Sequence, residues 1–187
     1  MKKTITLLAV FQLFFLCLIA QSNLPPVDKS PMDMSYYPNS YPVLKIQDKI
    51  TDPLVARVVY SRPQKTGRAI FGGLVKYGEV WRMGANEATE IEFFKNVHID
   101  GKKISRGRYT LYAVVNETSW TIIVNKETDT WGSFKYNAKK DVIRTEVPVQ
   151  KSDVMLESLA MAFEKTTTGC NLVIAWDNVK VALPINF

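Results

Sequence analysis

EIEFFKNVHIDG, residues 90–101, sets the period of the whole chain. Ile91, Phe93, Val97 and Ile99 fall on one parity and Glu90, Glu92, Asn96 and His98 on the other, the two-residue repeat of a strand with one face in a core. Asp100-Gly101 then supplies a dipeptide that closes two-residue hairpins. The repeat continues outward in both directions. Upstream, Leu54, Ala56, Val58 and Tyr60 alternate with Val55, Arg57 and Val59. Downstream, runs follow at residues 109–115, 120–125, 142–149, 155–163, 172–176 and 179–185. Trp120, Ile122 and Val124 share a face, as do Leu172, Ile174 and Trp176, and then Val179, Val181, Leu183 and Ile185. Asp177-Asn178 reads as a tight turn joining the last two runs into a hairpin. Residues 155–163 also allow a turn or two of helix. Eight short strands without sustained 3.6-residue periodicity predict an all-β fold, an antiparallel β-sandwich of jelly-roll-like form over residues 54–187, with a closed β-barrel as the alternative. Ile91, Phe93, Trp120, Ile122, Leu172, Ile174 and Trp176 are its expected core.

The N-terminal end carries a different signal. Lys2 and Lys3 precede an uncharged apolar run over residues 7–20, the charged and apolar parts of a secretory signal peptide, with cleavage expected after Ala20. The run is shorter than the roughly 20 residues of a membrane helix, so no transmembrane helix is expected in the mature chain. Phe14, Phe15 and Leu16 lack the small residue that a lipid-attachment site needs before Cys17. Residues 21–53 hold six prolines among Tyr36, Tyr37 and Tyr41, which predicts an extended arm without helix or central strand. Export is therefore expected, to the periplasm, the cell envelope or the medium.

Composition narrows the chemistry. The 187 residues are 47% hydrophobic and 22% charged, with 2 Cys and 1 His. That is enough apolar material for one core, and too few N and S ligands for a zinc centre. Removing residues 1–20 leaves Cys170 as the one thiol, so no internal disulfide is expected. It also leaves 22 Lys+Arg against 18 Asp+Glu, a scattered excess of +4 without the basic stripe that nucleic acid needs. The glycines form neither phosphate-loop pattern, GxxxxGK[ST] or GxGxxG, and no cofactor or metal is expected.

One stretch breaks the regular spacing. Residues 62–89 show no clean strand pattern, and connections beyond about 12–15 residues are uncommon in compact domains and often functional. The stretch follows YSRP (residues 60–63) into GRAIFGGLVKYGEVWRMGANEATEI (residues 67–91), and WGSFKY (residues 131–136) lies further on, followed by Asp141 and Arg144. On these motifs, over residues 54–185, the chain resembles the family called domain of unknown function 2911, found in exported bacterial proteins. The resemblance implies an exported β-rich domain and brings no activity, cofactor or catalytic residue with it.

The residues of the insertion allow two readings. In the first, Arg62, Arg68 and Arg82 pair with Glu79, Glu87 and Asn86 to staple the loop to the sandwich, Arg82 with Glu87 being the expected pair. In the second, Arg62, Tyr77, Trp81, Arg82, Asn86 and Glu87 line a polar pocket suited to a glycan, a carboxylate-bearing ligand or a peptide. Trp131, Phe134 and Tyr136 could stack on sugar rings, although capping the core is the ordinary role of such aromatics. Glu79 and Glu87, with Asp141 or Glu90 as substitutes, are the acids that a glycan hydrolase would use. His98 falls on the polar parity of its run and is expected in solvent. The expectation is an exported, non-enzymatic module that binds a ligand or an envelope protein through the insertion. A carboxylate-based glycan hydrolase and a structural accessory subunit of an envelope complex are the alternatives.

Overall fold

The computed structural model describes residues 24–187; the leader and its cleavage site lie outside the described residues. Two antiparallel sheets face each other. Numbered in chain order, β1 (Met32–Tyr37), β2 (Ala56–Ser61), β4 (Glu90–Phe93), β7 (Gly107–Val115), β8 (Ser119–Asn125) and β9 (Asp141–Pro148) lie side by side in the larger sheet, and β3 (Val80–Trp81) also pairs with β7. The smaller sheet runs β10 (Gln150–Lys165), β11 (Gly169–Asn186), β5 (Val97–Ile99), β6 (Lys102–Ile104). The fold is a β-sandwich, and the two sheets close no barrel. All seven residues expected in the core are buried, none more than 1% exposed. Asp100 (φ 48°) and Gly101 (φ 72°) form the turn between β5 and β6 that their sequence predicts, and His98 is exposed.

Three local readings are corrected. Residues 91–99 are not one strand: the chain leaves the larger sheet after Phe93 and enters the smaller at Val97. The alternation persists because parity reports which side faces the core, and the core lies between the sheets. The last two runs are not a hairpin but one 18-residue strand, β11. Asp177 adopts φ 58° and marks a bulge, across from which β10 loops out between Lys151 and Leu156. Such a bulge shifts parity just as a two-residue turn would. Third, the proline-rich arm is not extended throughout, because it contains a helix. β1 lies between Pro31 and Pro38 as the edge strand on β2, and helix α1 (Tyr41–Ile46) carries Pro42 in its first turn, where the missing N–H costs nothing.

Where β1 and β2 meet β10, side chains close the gap between the sheets. The Tyr60 hydroxyl accepts from the Met161 amide at 3.0 Å and lies 3.3 Å from its carbonyl. Ser35 Oγ donates to that same carbonyl at 2.6 Å, Arg62 Nε to the Leu159 carbonyl at 3.0 Å and Asn39 Nδ2 to the Phe163 carbonyl at 2.9 Å. On the opposite side Lys102 Nζ donates to the Val142 carbonyl at 2.6 Å.

Candidate functional site

β3 and β4 lie end to end along one edge of β7, Trp81 opposite Ala113 and Glu90 opposite Thr110. Residues 82–89 bulge out between them. YSRP and the GANEAT stretch meet there: Ser61 Oγ accepts from the Ala85 amide at 2.8 Å and bonds its carbonyl as well. Gly84 packs so close that an added Cβ would stand 3.0 Å from that Oγ.

The bulge in turn holds the loop between β8 and β9. Ala88 N donates to the Thr130 carbonyl at 2.9 Å, Gly132 N to the Asn86 carbonyl at 2.9 Å and Ser133 Oγ to the Val80 carbonyl at 2.9 Å, while Glu87 bridges Trp131 through the backbone. Tyr136 packs edge-on against Tyr112 at 5.1 Å. Its hydroxyl donates to Asp141 at 2.5 Å and accepts from Arg144 at 2.8 Å. Burial, with the Asp141 carboxylate beside it, pushes the Tyr136 phenol up to about 12. Asp141 also accepts from Asn125 at 2.8 Å, so its carboxylate is occupied. The three sequence markers thus converge on the outer face of the larger sheet.

There they frame a cleft of about 490 Å³, floored by Tyr112 and Thr130 and rimmed by Glu127, Asp129, Trp131, Phe134 and Lys135. The Tyr112 hydroxyl and Thr130 Oγ1 are 3.0 Å apart and hydrogen-bonded. Trp131 is 62% exposed and Phe134 83%. Capping the core was the expected role of these aromatics, and of the three only Tyr136 packs inward. Gly132, at φ 67°, lies under the Phe134 ring, where a Cβ would come within 2.7 Å of it. Asp129 lies below the usual carboxylate range, chiefly because Thr128 Oγ1 donates to it, with Arg108 adding to the effect.

The six residues proposed from sequence do not form one pocket. Arg62 belongs to the seam, with Nη1 3.0 Å from Asp33. Trp81 is in the core, stacked on Trp176 at 6.2 Å and edge-on to Trp120 at 5.7 Å. Tyr77 is 40% exposed and does not line the cleft. Arg82 and Glu87 form no ion pair. Arg82 is half-buried with Nε unpartnered, and desolvation pulls its guanidinium below the ordinary value, while Glu87 is exposed. Asn86 and Glu87 bond the loop through their backbones, and neither residue lines the cleft. Glu79 and Glu87 do not line it, and Glu90 is engaged by Arg108 at 3.2 Å. Among the described residues no group of three His, Cys, Asp or Glu could hold a metal ion, and no helix is long and apolar enough to cross a membrane. Sequence spacing had no means to reveal the cleft, because Tyr112 and the 127–135 loop are brought together by the pairing of β7 with β8 and by the hold of the 82–89 bulge on the loop.

Fold and cleft together define an antiparallel β-sandwich with an aromatic-rimmed recess on the outer face of its larger sheet. The chain belongs to the family described as "Protein of unknown function (DUF2911)", whose model matches residues 42–185. No curated protein and no solved structure matches it.

Proposed function

We propose that this protein is an exported binding module of the bacterial envelope that holds a glycan in the cleft between Trp131 and Phe134. One observation carries the reading: two large aromatics stand in solvent on a loop pinned through the backbone at Thr130, Trp131 and Gly132 and through the side chain of Ser133. Packing does not require them there, and a rigid loop loses little entropy when a ligand stacks on it. Sugar rings offer C–H faces to such aromatics, and their hydroxyls suit the carboxylates and hydroxyls of the rim. The insertion serves this site as a buttress, not as its lining.

The test is a glycan array probed with the exported protein and with Trp131→Ala and Phe134→Ala. Capture is expected to fall about tenfold or more in each variant, the loss of about 1.4 kcal/mol of stacking, with unchanged thermal unfolding. Variants that capture as well as the parent, or a parent that retains no glycan, overturn the reading. N-terminal sequencing of exported material should begin near Gln21, and a start at Met1 would refute processing. A second reading, an accessory subunit of an envelope complex, is favoured by the exposure of Val43 (55%) and Ile46 (83%) on α1. It predicts that Ile46→Asp abolishes co-purification of a partner while glycan capture persists.

A further inference from the structure

The charges at the cleft are unequally engaged. Glu127 is paired with Lys140 at 2.7 Å, and Asp129 with Arg108 at 2.6 Å. Both carboxylates of the lining therefore have their counter-ion within the protein. Each keeps lone pairs that can accept from a sugar hydroxyl. Lys135, the third charged group of the lining, is exposed and forms no ion pair among the described residues. Lys126 and Lys139, also exposed and without an ion pair, flank the same loop. Glu87 is the unengaged acid nearby; its backbone bridges Trp131, and its side chain does not line the recess. A carboxylate entering the cleft thus meets no free negative charge in the lining and one free ammonium.

We infer that the ligand is an acidic glycan whose sugar rings stack on Trp131 and Phe134 while a ring carboxylate is held by Lys135 Nζ. This rests on the glycan reading above and adds its charge class. A neutral sugar would leave the ammonium hydrated at no cost, so Lys135 sets preference and the aromatics set binding.

The experiment uses paired probes: oligosaccharides of hexuronic acids and their carboxyl-reduced counterparts, which share linkage and ring shape and differ in charge. Binding to the exported protein is measured for each pair by calorimetry. The acidic member is expected to bind about fivefold tighter, the upper range for an exposed ion pair. The ratio should fall to about one in Lys135→Met, and also at about 1 M salt, where screening acts within about 3 Å. Equal binding of both members by the parent protein overturns the acidic assignment, and a preference that survives in Lys135→Met overturns Lys135 as the group that holds the carboxylate; either leaves the glycan reading standing. Binding of neither member of any pair, with other glycans retained on the array, also overturns the acidic assignment; retention of no glycan at all overturns both.

Discussion

Trp176 lies in the core between the two sheets: it is 1% exposed, stacked on Trp81, and its indole N–H donates to the Glu157 carbonyl at 3.1 Å. Trp176→Ala is expected to cost about 3–5 kcal/mol, read from urea unfolding, and a loss below about 1 kcal/mol would contradict that burial. Its inward position was legible from parity alone, since Leu172, Ile174 and Trp176 share a face. Arg82 was not legible. Its side chain has no ionic partner to lose, and the buried Nε finds no acceptor. Arg82→Met should therefore change stability by less than about 1 kcal/mol in thermal unfolding, because it removes an unpaired buried donor. A loss of about 3 kcal/mol or more would require a buried counter-ion that the structure lacks. Trp81 misled for a related reason: β3 is two residues long, too short to display a period, and it carries one aromatic into the core from within an apparently irregular loop.

At the scale of elements, the loop between β8 and β9 is shaped at Gly132. An alanine there would hold a left-handed conformation and press its methyl into the Phe134 ring. Gly132→Ala is expected to cost about 1–2 kcal/mol, seen as a lower melting temperature, and to lose glycan capture because the added methyl displaces the Phe134 ring. Unchanged capture would mean that Phe134 is not part of the platform. The strands flanking this loop were plain in the sequence, since alternation needs only solvent on one side and core on the other. Bulges and edge strands were not plain. Asp177 imitates a turn by shifting parity, and β1 sits between prolines that forbid a central strand but tolerate an edge. The cleft belongs to neither flanking strand; it arises from contacts between residues about 45 positions apart in the chain, such as Asn86 with Gly132, which no local pattern records.

The whole molecule responds to alkali through several buried acids at once. Burial raises the Cys170 thiol from 9.0 to about 12 and the Tyr136 phenol from 10.0 to about 12, and it raises Tyr37, Tyr60, Tyr109 and Tyr112 as well. The folded protein therefore keeps protons that the unfolded chain has released. The stability they contribute is complete below about pH 9, the unfolded thiol value, and is lost as pH rises through about 12. Unfolding free energies measured from pH 8 to 12 should fall steadily, and a flat profile over that range would contradict the burial of these groups. The seam of side chains along β10 has a consequence of another kind. A strand at the margin of a sheet is a template onto which other chains can add, and in a crowded compartment that is a route to aggregates. Here Tyr60, Ser35, Arg62 and Asn39 occupy backbone groups that an invading strand would need. The β10 margin of the smaller sheet is thus protected from templated growth by these side chains together with residues 63–65, whose backbone bonds Glu157 and Leu159.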